Sequence, residues 1–201
     1  MLDQPDQLAV IRGLQQGCRD AWARLYNSYS SEIWRYVARL VGPDATGIAD
    51  IVQETFLEAA RSARRFDANR GTLWAWLSGI AHHRVASYWR CVTRHQRVRK
   101  LAKAGAAEVC HLLDEGRPGD EVGEQQERAD FVRNVLAELP AEYAALLTAK
   151  YLDERSLADL SQDWASSVEA VKSKLARARR QFRAAFERLT ESSVPSVGKD
   201  D

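Results

Sequence analysis

Apolar residues recur at steps of three and four along nearly the whole chain, and this spacing is the feature that most restricts the fold. The pattern is clearest over residues 8–40, 48–59 and 73–88, and it returns over residues 131–189. Steps of this size place apolar side chains on one face of an α-helix, whereas strands need strict alternation. No stretch shows sustained alternation. The pattern therefore predicts an all-α protein.

Several helix boundaries are marked by residues that stop or cap helices. Gly42 and Pro43 end the first long run, and residues 66–71 separate the second run from the third. Thr72 is the predicted N-cap of that third helix, because a threonine hydroxyl can accept a hydrogen bond from the first turn. These breaks predict a compact set of helices in the first half of the chain.

The second half carries two further capping signals. Ser156 with Asp159 predicts a capping box at the start of a short helix, and Ser166 with Glu169 predicts another at the start of a long last helix. Residues 163–167, DWASS, would form the turn between these two helices.

Between the two halves, residues 108–127 combine glycines, Pro118 and acidic residues with few large apolar side chains. This composition is typical of a flexible linker. A surface loop within one domain is the alternative, but structureless loops longer than about 12–15 residues are uncommon inside compact domains. The predicted organisation is two small helical domains with a linker and a tail: a domain over 1–97, a flexible acidic linker over 98–127, a second domain over 128–191 and a disordered tail over 192–201.

The composition excludes several classes of protein. The longest apolar runs fall far short of the ~20 residues that cross a membrane, and the N-terminus lacks a basic start followed by an apolar stretch. Neither membrane insertion nor a signal peptide is therefore predicted. Three cysteines, Cys18, Cys91 and Cys110, are an odd number without CxxC spacing, which predicts reduced thiols in a cytoplasmic protein.

The formal net charge of +1 hides separate blocks of charge. Residues 68–107 contain no Asp or Glu, residues 108–130 are mainly acidic, and basic residues return after Lys172. On a helix over residues 168–189 the basic side chains flank an apolar face. A solvated helix end is the simple interpretation. A short helix, a four-residue turn and a longer basic helix also match the helix-turn-helix pattern, whose second helix enters the major groove of DNA.

Two surfaces in the first half are candidates for binding. Asp50, Gln53, Glu54 and Glu58 share one helix face, which fits either a solvated face with ion pairs or a docking surface for a basic partner. Residues 71–100 interleave aromatic and basic side chains, a combination that suits single-stranded nucleic acid.

The aromatic residues of that stretch could instead belong to the core. Trp76 has the phase of a core residue, whereas Trp74, Tyr88 and Trp89 cannot all face inward on one helix. Some of the latter three are therefore candidates for contact with nucleic acid.

Both halves resemble one known family. Residues 50–90, which include DIVQETF and GTLWAWLSGIAHHRVASYWR, resemble region two of a bacterial RNA polymerase sigma factor of the extracytoplasmic-function group. Residues 136–182, which include VKSKLARAR, resemble region four of the same family. Together, in this order and with a linker between them, they cover the chain from about residue 6 to residue 189.

The resemblance implies a transcription initiation factor that binds core RNA polymerase, recognises the minus-ten and minus-thirty-five promoter elements and helps to melt DNA. Region two would bind the β′ clamp helices through Asp50, Gln53 and Glu54, and region four would bind the β flap. An anti-sigma factor is a further candidate partner. The resemblance implies a bacterial cytoplasmic protein without a cofactor or an enzymatic activity.

The resemblance also implies two sets of DNA-binding residues. The minus-ten set lies in the loop over 66–72 and in the helix after it: Asn69, Arg70, Trp74, His82, His83, Arg84, Ser87, Tyr88 and Arg90. The minus-thirty-five set lies at the start of the last helix: Ser167, Val168, Glu169, Lys172, Ser173, Lys174 and Arg177.

The chain departs from the family pattern inside both sets. His83 stands where the family usually has Asn, and Ser87 where it has Asp. In the turn, residues 164–166 replace a Leu-Gly-hydrophobic pattern, and Glu169 with Ala170 replaces Gly-Thr. Base preferences therefore do not carry over from the family. Glu169 could accept a hydrogen bond from the amino group of cytosine or complete the helix cap.

Other classes of function fit the residues less well. The chain has no Gly-rich phosphate loop and no HExxH, so no catalytic residues are predicted. Cys91 with His95, and Cys110 with His111, lack the compact paired spacing of zinc modules, so no metal site is predicted. A stand-alone helix-turn-helix regulator of duplex DNA is the main alternative, and the basic last helix argues against a pure adaptor or anti-sigma protein.

Overall fold

The computed structural model describes residues 4–68, 71–110 and 121–193, and the regular elements in these ranges are helices. The all-α prediction is confirmed. In chain order the α-helices are α1 (Gln4–Gln15), α2 (Arg19–Val41), α3 (Ala45–Ser62), α4 (Leu73–Cys110), α5 (Glu121–Glu138), α6 (Ala141–Tyr151), α7 (Leu157–Asp163) and α8 (Val168–Ser193).

Helices α1 to α4 form a front module around α2. The inner face of α2 buries Leu25, Tyr29, Ile33 and Leu40 at the three- and four-residue steps of the sequence. Helices α1, α3 and α4 each pack against α2. The long helix α4 also packs on α3, so one face of α4 closes the module.

The helix boundaries in the front module follow the local chemistry. Gly42 ends α2 with a φ of 93°, a left-handed conformation that favours glycine. Asp44 caps α3 by accepting a hydrogen bond from the Gly47 nitrogen at 3.0 Å. The Thr72 hydroxyl accepts from the Ala75 nitrogen at 3.1 Å, which confirms Thr72 as the predicted cap of α4.

Helices α5 to α8 form a rear module. Helix α8 packs on α5, α6 and α7, and it buries Val171, Leu175 and Ala178 against them. The predicted capping box at α7 is confirmed: the Ser156 hydroxyl accepts from the Asp159 nitrogen at 3.1 Å, while the Asp159 carboxylate accepts from the Ser156 nitrogen at 3.2 Å. The hydrogen bonds from Ser156 also lower the pKa of Asp159.

The predicted capping box at the last helix is wrong. Helix α8 starts at Val168, and its cap is Ser167, whose hydroxyl accepts from the Ala170 nitrogen at 3.2 Å. The Ser166 hydroxyl is buried, and no hydrogen-bond partner for it lies among the described residues. The one-residue shift leaves Glu169 exposed rather than bound to a cap.

The predicted linker differs from the structure at both of its ends. Helix α4 continues to Cys110 and α5 begins at Glu121, so helical backbone occupies much of the segment expected to be unstructured. Residues 111–120 lie outside the described residues. Of the predicted disordered tail, the first two residues belong to α8 and the remainder also lies outside the described residues. The domain boundaries remain predictions.

The two modules pack against each other. Helices α2 and α4 both contact α5 and α6, and buried side chains from both modules form one apolar cluster. At this interface the Arg39 guanidinium lies 3.2 Å from the Asp153 carboxylate. A Cβ atom added at Gly42 would lie 2.8 Å from the Arg133 guanidinium, so the backbone of one module closely approaches a side chain of the other.

The two serines before α8 give a direct test of its cap. Ser167→Ala should lower the free energy of unfolding by about 1 kcal/mol, because the first turn loses a hydrogen-bond acceptor. Ser166→Ala should change it by less than about 0.5 kcal/mol or raise it, because a buried hydroxyl without a partner is removed. Urea unfolding of both variants measures the difference. The opposite order would contradict the assignment of the cap.

The turn between α7 and α8 contains a residue in a strained conformation. Ala165 has a φ of 46°, in the left-handed region where a Cβ atom costs about 1–2 kcal/mol. Ala165→Gly should therefore raise the free energy of unfolding by about 0.5 kcal/mol or more, after the larger loss of backbone freedom by glycine is subtracted. Thermal unfolding of the variant measures the change. The control is Ala158→Gly at an exposed helical position, which should lower the free energy of unfolding because glycine is unfavourable inside a helix.

Candidate nucleic-acid and protein interfaces

The predicted polymerase-binding residues form a continuous exposed strip on α3. Asp50, Gln53 and Glu54 all face solvent, while the opposite face of the helix is buried. We call these three residues the acidic strip. The strip is partly neutralised at one end, because Arg84 of α4 lies 3.6 Å from Glu54 and 3.4 Å from Glu58. The ion-pair interpretation therefore describes Glu58 best, since Glu58 also lies 3.8 Å from Arg61.

An apolar patch that sequence reasoning missed adjoins the acidic strip. Leu57 is 48% exposed and lies one helical turn beyond Gln53. Tyr26 of α2 is 52% exposed, and its ring centroid lies 4.9 Å from that of Phe56. Leu57 falls outside the apolar stripe of α3, and this off-phase position was the signal that could have identified it. Tyr26 gave no such signal, because it fits the helical repeat of α2.

The exposed part of the predicted minus-ten set lies on one face of α4. His83, Ser87 and Arg90 are exposed at steps of four and three, so they form a line along the helix. The Arg90 guanidinium donates to the Ser87 hydroxyl at 2.8 Å, and that hydroxyl donates to the His83 carbonyl at 3.1 Å. We call this line the α4 ridge. It presents hydrogen-bonding side chains and one cation to solvent.

Two other members of that set have partners inside the front module. The Tyr88 hydroxyl donates to the Asp44 carboxylate at 3.0 Å. Partial burial, with the hydrogen bond and charge of Asp44, raises the pKa of Tyr88 to about 12. Arg84 is half-buried and held by the two acids of α3. Asn69 and Arg70 lie outside the described residues.

Trp74 and His82 are buried, which argues against direct contact between either side chain and DNA in this arrangement. Trp74 is 8% exposed and packs edge-on against the ring of Tyr36, with 6.0 Å between the centroids. Trp89 is also buried, and its indole nitrogen donates to the Leu40 carbonyl at 2.8 Å. Trp76 is only partly buried against Phe66. The sequence pattern did not distinguish these cases because α4 packs against other helices on more than one side.

His82 is 5% exposed and bridges the two modules. Its Nε2 atom lies 2.8 Å from the carbonyl oxygen of Leu139, the residue directly after α5. Its Nδ1 atom lies 3.2 Å from the Tyr36 hydroxyl. Because a carbonyl only accepts, Nε2 carries the proton and Nδ1 accepts from Tyr36. In this arrangement both ring nitrogens of a neutral imidazole have a hydrogen-bond partner. Burial lowers the pKa of His82 and raises that of Tyr36.

The predicted minus-thirty-five residues form an exposed face on the first turns of α8. Glu169, Lys172, Ser173 and Arg177 face solvent, and the Arg177 guanidinium donates to the Ser173 hydroxyl at 3.2 Å. We call these four residues the α8 ridge. The apolar residues of α8 point the other way, into the rear module.

The remaining members of this set are less accessible. Val168 is half-buried, and Ser167 serves as the helix cap. Lys174 is partly buried and forms an ion pair with Glu142 of α6. Ser167 and Lys174 therefore help to hold the helix in place, while the side chains of the α8 ridge are exposed to solvent.

A second apolar surface lies on the rear module. A groove of about 770 Å³ runs between α5, α6 and α8, and its apolar lining includes Leu136, Leu147, Tyr151, Phe182 and Phe186. Arg179, Arg183 and Glu187 also line it. We call it the rear groove. Both phenylalanines belong to the apolar face of the helix predicted over residues 168–189, but Phe186 is 39% exposed at the groove, where it contacts the rings of Phe131 and Phe182.

The described residues show neither a metal-binding cluster nor a membrane-spanning helix. Among the residues that the structure describes, no group of three His, Cys, Asp or Glu side chains is placed to hold a metal ion. The Cys91 sulfur lies 3.5 Å from His95 Nδ1, and both residues are exposed. The side chain of Cys110 is not among the described side chains, and His111 lies outside the described residues. Within the described ranges, no helix has the length and apolar composition needed to cross a bilayer.

Comparison with known proteins places the chain in a family. Residues 25–95 match the family Sigma-70 region 2, and residues 132–182 match the family Sigma-70, region 4. These matches fall on the front module and the rear module. The fold and the two matches define a two-module promoter-recognition protein. The chain belongs to the extracytoplasmic-function group of the sigma-70 family of bacterial RNA polymerase sigma factors.

Two curated relatives match this chain along most of their own length. The chain is 28% identical over 178 residues to ECF RNA polymerase sigma factor SigK of Mycobacterium ulcerans, covering 89% of this chain and 92% of the relative. It is 29% identical over 165 residues to ECF RNA polymerase sigma factor SigL of Mycobacterium tuberculosis, covering 82% of this chain and 88% of the relative. The solved structure of CnrH in complex with the cytosolic domain of CnrY aligns with a TM-score of 0.46 at 20% identity, covering 94% of this chain and 99% of that chain.

The buried imidazole predicts a pH dependence of stability. An unfolded histidine titrates near pH 6.5, and burial holds the pKa of folded His82 below that value. Above pH 6.5 both states are neutral, so His82 adds no pH dependence. As the pH falls below about 6.5, the unfolded chain takes up a proton that the folded chain resists, and the free energy of unfolding decreases.

His82→Gln should remove this part of the pH dependence, because glutamine keeps a donor and an acceptor but does not titrate. Urea unfolding of wild type and variant at pH 7.5 and pH 5.5 gives the comparison. The matched control is His83→Gln, which leaves the buried His82 imidazole in place and should therefore still lose stability as the pH falls. An equal change in the free energy of unfolding between pH 7.5 and pH 5.5 for all three proteins would contradict the prediction.

Proposed function

We propose that this chain is a transcription initiation factor that binds core RNA polymerase in the bacterial cytoplasm, directs it to promoters and helps to melt DNA. The observation that carries the proposal is the presence of Sigma-70 region 2 and region 4 in one chain, in that order, each on its own helical module. The proposal assigns no enzymatic activity to the chain, since the polymerase supplies the chemistry. An anti-sigma factor is a further candidate partner.

The acidic strip and its apolar neighbours are the proposed docking surface for the β′ subunit. Asp50 and Glu54 supply negative charge that would steer and orient a basic partner. Leu57 and the Tyr26–Phe56 pair supply exposed apolar area beside it, and burying that area would provide much of the affinity. The combination of an apolar centre and a charged edge is typical of specific protein interfaces.

The α4 ridge is the proposed minus-ten contact. An imidazole, a hydroxyl and a guanidinium on one helix face can donate to base edges or to phosphates of a melted strand. His83 lies beside a groove of about 590 Å³ between α3 and α4 that also contains Trp76 and Ile80. An unpaired base would find an aromatic surface and hydrogen-bonding groups there. Because His83 replaces the usual asparagine, the base preferred at this position is expected to differ from that of the family.

The α8 ridge is the proposed minus-thirty-five contact. The first turns of the second helix in a helix-turn-helix reach base edges in the major groove. Lys172 and Arg177 can neutralise phosphates or donate to guanine, and Glu169 can accept from the amino group of cytosine. The cap at Ser167 leaves Glu169 exposed for such a contact, which supports the base-reading alternative.

The rear groove is the proposed docking surface for the β flap. Its lining is mostly apolar, and Arg179 and Arg183 stand at its margin. An amphipathic helix that lays its apolar face into a groove of this kind is a recurrent mode of recognition. Two separate docking surfaces, one on each module, would hold both modules on one polymerase and increase the overall affinity.

The β′ interface can be tested by reversing charge on the acidic strip. Asp50→Arg combined with Glu54→Arg should lower the affinity for core polymerase by about 30-fold or more, because like charges face each other across the interface. Both side chains are exposed, so helix content should stay at the wild-type level. A fluorescence anisotropy titration with core enzyme measures the change in affinity, and co-elution with core enzyme shows whether the complex forms.

The matched control carries the same change of charge elsewhere. Asp20→Arg combined with Glu191→Arg alters two exposed acids away from the acidic strip and should retain core binding and promoter-specific transcription. Equal losses in both double variants would indicate a general charge effect and contradict the docking proposal. Tight, specific binding to duplex DNA with no effect of core enzyme would instead identify a stand-alone regulator.

A further inference from the structure

A cleft of about 480 Å³ opens where the start of α4 meets α6 and the turn before α8. Three aromatic side chains line it: Tyr36 from α2, Trp74 from α4 and Trp164 from the turn. Ala145 and Ala149 of α6 also line it, and their small side chains leave room between the rings. We call this cavity the aromatic cleft. None of the surfaces assigned above to DNA or to the polymerase accounts for it.

The rings of the aromatic cleft are set at an angle to each other. The Tyr36 and Trp74 centroids lie 6.0 Å apart with an interplanar angle of 77°, so these two rings form a corner. Trp164 is partly buried at the same cleft and stands in the turn where the family resemblance has leucine. Aromatic rings that surround a cavity from different directions are typical of sites that hold an organic cation.

Trp74 has an unmet hydrogen-bonding capacity at this cleft. Its side chain is buried, with 8% of the residue exposed, yet its indole nitrogen has no hydrogen-bond partner among the described residues. That nitrogen is also not one of the fully buried polar atoms without a partner, so it keeps access to the cleft that Trp74 lines. Buried donors normally have a partner. A ligand with an acceptor atom would supply the missing one.

The charged side chains of the cleft favour a cation. They are three arginines and four acids: Arg35, Arg39, Arg155, Glu32, Asp153, Glu154 and Asp163. Each arginine has an acidic partner within 3.8 Å. The Glu154 carboxylate is the acid left over, since it forms no ion pair within the described ranges. The cleft therefore carries one negative charge in excess, and an anionic ligand would meet repulsion there.

Glu154 is also held in an unusual backbone conformation. Its φ is 54°, in the left-handed region that favours glycine. The residue lies in the segment between α6 and α7, and its side chain is exposed at the cleft. Residues held in such conformations are more frequent at ligand sites than elsewhere. The backbone thus keeps an uncompensated carboxylate beside the aromatic rings.

We propose that the aromatic cleft binds a small alkylammonium compound that carries a hydrogen-bond acceptor beside its cationic head. The ring faces attract the cation, and the methyl or methylene groups around the nitrogen bury apolar surface against the rings and the alanines. Glu154 complements the charge, and the acceptor atom meets the indole N–H of Trp74. The cavity volume is within the range of small-molecule sites, about 300–1,000 Å³.

The experiment compares two probes of the same shape on the full chain. Choline carries a quaternary ammonium and a hydroxyl, and 3,3-dimethylbutan-1-ol is its uncharged counterpart. Calorimetric titration at constant ionic strength should show saturable binding of choline, tighter than that of the alcohol by about tenfold or more. Choline should also raise the melting temperature as its concentration increases, because it binds the folded chain. Equal affinities, or no saturable binding of choline at millimolar concentrations, would overturn the proposal.

Variants locate the binding within the cleft. Trp164→Leu should lower the affinity for choline about fivefold or more, whereas Trp164→Phe keeps an aromatic face and should lose less. Glu154→Gln changes an exposed side chain and should lower the affinity about threefold.

The matched control is Trp34→Leu, which removes a 42% exposed tryptophan on α2 outside the cleft lining and should bind choline as the wild type does. Wild-type affinity in Trp164→Leu, or an equal loss in Trp34→Leu, would contradict the assignment of the site. These measurements contain neither DNA nor polymerase, so their outcome is independent of the proposed function.

Discussion

Helix α4 contacts α2 and α3 in its own module and α5 and α6 in the other, and the rest of the structure depends on this double packing. On one side it completes the apolar core of the front module. On the other it presents Trp74 and His82 to the rear module. The helix is proposed to contact promoter DNA, and the same helix supplies much of the surface on which the modules meet. Folding and availability for DNA are therefore coupled through one element.

The distribution of charge over the exposed surfaces is consistent with three separate partners. The acidic strip on α3 is suited to a basic protein surface, the α8 ridge to duplex DNA, and the α4 ridge to a melted strand. Arg84 lies between the first and third of these surfaces, where Glu54 and Glu58 hold it in ion pairs. These pairs partly neutralise the cation at the border between the two surfaces. A chain of nearly zero net charge can in this way carry strongly charged local surfaces.

Apolar and polar contacts together hold the two modules in one packed arrangement. Burial of apolar side chains favours a single cluster that includes both modules. The Arg39–Asp153 ion pair and the His82–Leu139 hydrogen bond add specific polar contacts to this apolar cluster. A buried polar group without partners is unfavourable, so the His82 contact selects one packing of the modules.

The sequence alone determined the helices, their order and the two family regions. A helical repeat is a local property, so the buried faces of α2, α3 and α8 followed from spacing, and short-range capping at Thr72 and Ser156 followed from residue type. Only the tertiary structure decided which serine caps α8, that Tyr26, Leu57 and Phe186 stay exposed, and that Trp74 and His82 turn inward. These outcomes depend on neighbouring helices that come from distant parts of the chain. A repeat of 3.6 residues defines the side of a helix that is apolar, but packing decides how many sides are covered.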